Sequence, residues 1–172
     1  GGGRGRGGRA GGAGGALGRP GAGAGSDAGA TKTRAEVRDG KWVVNGSEQF
    51  ITNCGTEISA GVTVTTVTGK TKEGRSEISA IMIPQGTAGY QVLESYRKLG
   101  WHSSDTHPLS FEDCTVPQQN LLGERGGGFR QFLHRLMGGR IALAAVAGGV
   151  RAACLARPPR HGGGGRTSGG TR

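Results

Sequence analysis

The stretch Lys41–Gly55, KWVVNGSEQFITNCG, carries the key to the fold. Trp42, Val43 and Val44 run into Asn45-Gly46, the strongest short hairpin signal, and Glu48–Thr52 follows, so the run reads as strand, turn and second strand. The second strand ends in an aromatic residue, a hydroxyl and an amide: Phe50, Thr52 and Asn53. Alternation puts Phe50 and Thr52 on one face. A ring and a hydroxyl on one face can serve a flat heteroaromatic ligand, the ring stacking on it and the hydroxyl bonding to a ring nitrogen. The plainer alternative is a core Phe beside a solvated Thr.

Further along, the chain keeps reading as strand. Gly61–Thr68, GVTVTTVT, is β-branched and alternating, Gly69–Gly74 is a charged turn, and Glu77–Ile83 returns to stop at Pro84. Gly86–Gly89 turns into Tyr90–Leu93, and Leu109–Phe111 is a short strand before Val116-Pro117. Short links make these strands antiparallel neighbours, which predicts a mainly β domain built as a small antiparallel barrel or two packed sheets. No internal repeat is visible. After Gly126-Gly127-Gly128 the period changes: Phe129, Phe132, Leu133, Leu136 and Met137 recur at helical spacing. The pattern predicts one helix over 127–155, about 40 Å long, ended by Pro158-Pro159. Its broad apolar surface has no helical partner in this sequence, so it reads as part of an incomplete bundle.

Composition divides the chain further. Residues 1–25 hold 14 Gly and four Arg with no acid, 26–150 look globular, and 151–172 return to Arg, Pro and Gly. The net charge of +10 follows this division, because the middle carries 13 Lys and Arg against 12 Asp and Glu. A pI near 10.6 therefore speaks for nucleic acid only in the tails. GGGRGRGGR resembles an Arg/Gly RNA-binding segment, but no Phe or Tyr interrupts it for base stacking. A disordered Gly-rich linker, or an out-of-frame translation of a GC-rich gene, explains the tails as well. Cys54, Cys114 and Cys154 form no CxxC, and read as reduced thiols of a cytosolic protein. The longest apolar run, Ile141–Val150, is ten residues, short for a bilayer, and the N-terminus has no apolar signal-peptide core.

Six segments in order resemble one family. They are AGSDAGATKT (24–33), WVVNGSEQFITNCG (42–55), ISAIMIPQGTAGY (78–90), RKLGWHSSDT (97–106), LSFEDCTVPQQNLLGERGGGF (109–129) and GGRIALAAVAGG (138–149). Over roughly 125 of the 172 residues they are similar to the central domain and the start of the C-terminal bundle of the acyl-CoA dehydrogenases.

The resemblance implies a domain plan: a low-complexity tail at 1–25, the central β domain at 26–126, a first bundle helix at 127–156 and a second tail at 157–172. It implies a flavoprotein with FAD as cofactor, an acyl-CoA substrate, an electron-transfer flavoprotein as partner and a homo-oligomeric full-length enzyme. The location implied is the bacterial cytoplasm or the mitochondrial matrix. Members remove the α-proton of an acyl-CoA with a carboxylate while the β-hydrogen leaves as hydride to the flavin. By the same resemblance Phe50, Ile51 and Thr52 contact the flavin, Ser26 lies by flavin and acyl-CoA, and Arg140 helps bind substrate.

Hydride transfer needs a close, oriented ring, and proton removal needs a positioned base with donors to the enolate-like oxygen. The base is where this sequence departs from the family pattern. In most members the catalytic Glu lies farther along the bundle than these residues reach. In a minority it directly precedes the arginine matched by Arg140, and that position is Gly139 here. Met137 stands where an Asp often contacts substrate, and Arg19–Gly23 replace the usual Thr-Glu-Pro-Gly. The expectation is a dehydrogenase fragment without turnover of its own, with an Arg/Gly-rich RNA-binding protein or a frame-shifted product as alternatives.

Two further patterns carry less. Gly23–Ala28 fits a loose dinucleotide-binding pattern, but no strand precedes it and no helical period follows. His102, Ser103, Ser104, Asp105 and His107 hold the residue types of a triad, yet they sit in one polar loop and read as solvated.

Overall fold

The computed structural model describes residues 16–17 and 27–156. Ser26, and both tails expected to be disordered apart from Ala16–Leu17, lie outside the described residues; Ala16–Leu17, within the first tail, form a short strand instead, paired with Val62 and Thr63.

Among the described residues, and apart from short 3-10 turns at Ala28–Ala30 and Gln118–Asn120, eight strands and one α-helix follow each other. They are β1 (Ala16–Leu17), β2 (Arg34–Arg38), β3 (Lys41–Thr52), β4 (Gly61–Lys70), β5 (Ser76–Pro84), β6 (Tyr90–Val92), β7 (Thr106–Pro117), β8 (Leu121–Leu122) and α1 (Gly128–Ala156). The sheet order is β6-β7-β3-β2-β4-β5-β8, with β1 alongside β4. The mainly β domain with one long helix is as the sequence predicts, and 61–84 contains no helix.

Three sequence expectations need correction. The Asn45-Gly46 hairpin does not form, because β3 runs straight through it. The hairpin turn lies at Asp39-Gly40, where both residues have positive φ (48° and 71°), as a tight two-residue hairpin turn requires. It joins β3 to β2, a strand the sequence reading did not assign. At Asn45 the β3–β7 register shifts instead, forming a bulge. The Asn45 amide is used there across strands: its Nδ2 donates to Asp113 Oδ1 (3.1 Å) and its Oδ1 accepts from the Asp113 backbone N–H (2.8 Å). Gly46 is needed at this bulge, since a Cβ would come within 2.7 Å of the Thr33 backbone.

The second correction is the extent of β7, which runs twelve residues rather than the expected Leu109–Phe111. Polar residues flank the apolar centre, and its pairing with β3 from Thr106 to Pro117 extends the strand past them. The third concerns direction. Not every neighbour is antiparallel: β1 runs parallel to β4, and β2 meets β4 in parallel through one bridge, Arg34↔Val67. That bridge joins two antiparallel halves. Their inner faces share one cluster, with Trp42, Val44, Ile51, Leu109, Phe111 and Val116 from one half and Val62, Val64, Ile81 and Ile83 from the other.

A polar network anchors the start of α1. Arg125 Nε donates to Glu77 Oε1 (2.6 Å) and its Nη2 to the Thr68 carbonyl (2.5 Å), while the guanidinium lies 5.8 Å from the Trp42 ring centroid. The Gly126 N–H donates to Ser79 Oγ, and Gln131 Nε2 to the Leu122 carbonyl. Gly128 approaches the Ser79 backbone so closely that any Cβ would clash.

The compact β unit extends to Phe132, and a second unit begins at Leu133. In that second unit Ile141, Leu143 and Leu155 are exposed. The 29-residue helix is long and apolar enough, by length and composition only, to cross a membrane; the ten-residue run counted in the sequence understated this. Arg140 and Arg151 both fall within the helix.

One buried residue is out of character. Glu48 on β3 is fully buried, accepting from Thr33 Oγ1 (2.8 Å) through Oε1, while Oε2 has no partner among the described residues. Burial pushes its carboxyl up to about 8, the Thr33 bond opposing only part of the rise.

Candidate functional site

The C-terminal end of β3 positions the residues singled out in the sequence. Ile51 is buried in the core, and Phe50 and Thr52 flank it in exposed positions. Regular alternation is not what presents Phe50. The β3–β7 register shifts between Glu48 and Ile51, and Phe50 has φ 57°. A bulky residue in this region is a genuine outlier, costing about 1–3 kcal/mol where it persists. The bulge leaves the Phe50 ring 61% exposed. The ring stacks on Tyr96, with centroids 4.8 Å apart and planes at 28°, and the Tyr96 hydroxyl bonds to Gln49 Oε1.

This backbone makes a specific mutational order expected. Phe50→Gly should be more stable than Phe50→Ala by about 1 kcal/mol, because only glycine takes positive φ without penalty. Ordinary strand positions give the reverse order. Paired denaturant titrations would decide it, and a more stable alanine variant would contradict the left-handed conformation.

Beyond Thr52 the chain turns through Asn53 (φ 61°), Cys54 and Gly55. The start of β7 holds this turn. The Asn53 N–H donates to the Asp105 carbonyl (3.1 Å), and the Gly55 N–H donates to Asp105 Oδ2 (2.7 Å). Asp105 Oδ1 lies 2.5 Å from His107 Nε2, and His107 Nδ1 lies 2.6 Å from the Leu93 carbonyl. Asp105 and His107 are therefore not the solvated loop residues expected from the sequence; their side chains are 21% and 15% exposed. They form no triad either, since Asp105 and His107 are engaged with each other and with backbone.

Cys54 is buried, its Sγ donating to the Ile51 carbonyl (3.2 Å). Burial, with the Asp105 charge adding to it, pushes the thiol up to about 11, so it is not a nucleophile. Cys114 is buried and raised to about 11 for the first of those reasons, and Cys154 is exposed. Arg140 lies on α1 in the second unit, its Nη1 near Met137 Sδ (3.4 Å). At Gly139 an added Cβ would meet nothing within 4 Å among the described residues.

Sequence reasoning missed Tyr96, Asp105 and His107 as parts of this region. Tyr96 sits in the unpatterned segment ESYRKLG, and the pairing that brings β7 to β3 leaves no local periodicity to detect.

Comparison with known proteins agrees with these elements. The family description "Acyl-CoA dehydrogenase, middle domain" matches residues 20–114. The probable acyl-CoA dehydrogenase YngJ of Bacillus subtilis is 45% identical over 132 residues, covering 77% of this chain and 34% of that protein. The structure of butyryl-CoA dehydrogenase from Megasphaera elsdenii matches with a TM-score of 0.76 at 40% identity, over 83% of this chain and 37% of that one. An acyl-CoA dehydrogenase from Bacillus anthracis, solved in complex with FAD, matches with a TM-score of 0.59 at 33% identity, over 66% of this chain and 19% of that one. The chain thus spans about a third of the length of the curated relatives it matches. With its β unit, its following helix and this match over more than half its length, the chain belongs to the acyl-CoA dehydrogenase family.

Proposed function

We propose that this chain supplies the flavin-facing wall and the first bundle helix of an FAD-dependent acyl-CoA dehydrogenase, and that its 172 residues alone do not turn over substrate. The observation that carries the reading is Phe50: a strained, exposed aromatic ring at the end of a strand, backed by Tyr96. A flat ring system fits against such a side chain, and the exposed Thr52 hydroxyl can bond to its edge. Ile51 roots this wall in the core. FAD, when bound, would supply the hydride acceptor.

The roles of the remaining residues belong to the same proposal. Ser26 lies by flavin and acyl-CoA, and Arg140 helps hold the acyl-CoA. The electron-transfer flavoprotein is the oxidising partner of the whole enzyme, which is a homo-oligomer. Turnover is absent because no carboxylate stands at Gly139 and a wall does not bury most of a ligand's surface. Loss of a positioned base alone removes about 10²- to 10⁴-fold in rate.

The test separates binding from turnover. FAD fluorescence should be quenched on titration with the protein, and Phe50→Gly should abolish the quenching while leaving the fold intact. Butyryl- to palmitoyl-CoA with FAD and a dye acceptor should give no dye reduction above the free-flavin background. Gly139→Glu, whose Cβ meets no neighbour within 4 Å among the described residues, should not restore activity by itself. Equal quenching by wild type and Phe50→Gly would sink the wall assignment, and dye reduction by wild type would sink the claim of inactivity.

A further inference from the structure

The Asp105–His107 pair stands on the start of β7, outside the residues that the proposed flavin contacts use. It ties together two segments that meet at Phe50 and Thr52. On one side, Asp105 holds the turn that follows Thr52, taking the Asn53 N–H through its carbonyl and the Gly55 N–H through Oδ2. On the other, the Leu93 carbonyl can only accept, so His107 Nδ1–H donates to it at 2.6 Å. Leu93 opens the segment that carries Tyr96, and the Tyr96 N–H donates to the Thr106 carbonyl, between the two members of the pair. Tyr96 in turn stacks on Phe50, and Thr52 pairs with Thr106.

The local sequence accommodates this arrangement. Gly55 has no side chain where the imidazole lies, and a Cβ there would run into His107 Nε2. Lys98 Nζ bonds to the Ser104 carbonyl and to Thr106 Oγ1 (2.9 Å), which fixes the 98–106 segment from its other side. A carboxylate that takes a backbone N–H through one oxygen and faces an imidazole through the other is held in one orientation.

We propose that Asp105 and His107 are positioning residues that set the Phe50 ring and the Thr52 hydroxyl in the geometry of the flavin wall. They touch no ligand themselves. They act through Tyr96 and the 53–55 turn, as supporting groups act behind a binding surface. The ligand part of this inference rests on the flavin reading above; the structural part does not.

The experiment uses the 172-residue chain with isotope labelling, as wild type, Asp105→Asn and His107→Gly, with Glu77→Gln on β5 as a control that breaks the Arg125 pair. Nuclear Overhauser contacts between the Phe50 and Tyr96 rings, and hydrogen exchange at Gly55, report wall geometry without any ligand. The expected result is loss of the ring contact and at least tenfold faster Gly55 exchange in both variants, with the rest of the sheet unchanged. Added imidazole should restore both signals in His107→Gly and neither in Asp105→Asn. FAD titration should show at least tenfold weaker binding in both variants and none of this in Glu77→Gln.

If wild type does not quench FAD, the flavin reading fails, and the ring contact and exchange data alone decide the positioning claim. Unchanged ring contact and exchange in both variants overturn it. So does loss of the whole spectrum in both, which gives the pair a purely structural role.

Discussion

Glu48→Gln is expected to stabilise the protein at pH 9 by several kcal/mol and to change it little near pH 4. The folded carboxyl is raised from 4.5 to about 8 because it is buried, and the hydrogen bond from Thr33 offsets only part of the rise. Between those values the folded state keeps a proton that the unfolded state has released. Stability contributed by the protonated group is therefore fully present below about pH 4.5 and declines as pH rises through about 8. At about 1.4 kcal/mol per unit, the full loss is on the order of 3–5 kcal/mol. Glutamine has nearly the same shape, can still accept from Thr33, and does not titrate. Urea unfolding of both proteins from pH 4 to 9.5 would show a falling wild-type curve and a flatter variant. Parallel curves would mean that Glu48 finds a partner or water when ionised.

Phe111→Ala is the other large effect. Phe111 heads the fully buried side chains by volume, at 1% exposure, and it stacks on Tyr90 with centroids 5.5 Å apart. It sits on β7 where that strand pairs with both neighbours, opposite Gly46 on β3 and Tyr90 on β6. Truncating such a ring leaves a cavity that close-packed strands cannot collapse into, and costs about 3–5 kcal/mol. For a β unit of this size each kcal/mol lowers the midpoint by about 4–8 °C, so a fall of about 12 °C or more is expected. Circular dichroism melts would read it. A fall under about 4 °C would show that Tyr90 and its neighbours refill the space.

How far the sequence could be read depended on the range of the interaction. Gly61–Thr68 and Glu77–Ile83 were legible because each strand pairs with its chain neighbour, β4 with β5. The start of α1 was legible because the period changes there. Asn45-Gly46 misled because a hairpin signal presumes that the flanking residues pair with each other, whereas β3 pairs on one side with β2 and on the other with the distant β7. Asp39-Gly40 carries the same chemistry and does make the turn. In the site, Phe50, Ile51 and Thr52 could be picked out by residue type and resemblance. The positive φ of Phe50, the Tyr96 ring behind it and the engagement of Asp105 with His107 could not. The first two depend on contacts that cross from β3 to the 93–117 segment, and the third on β7 beginning at Thr106, which the long-range pairing with β3 decides.

The β3–β7 ladder has a consequence for the order of folding. Its nearest pair in sequence, Thr52↔Thr106, encloses the whole of 53–105, and its farthest joins Lys41 to Pro117. The β2–β3 and β4–β5 hairpins close small loops and can form early, but this ladder must wait for a long one, which is entropically costly and slow. The bulge that presents Phe50, and the turn after Thr52, exist only once that ladder is in place. The Phe50–Thr52 surface, the proposed flavin wall, is therefore a late-forming feature, and during biosynthesis it cannot assemble until β7 has left the ribosome.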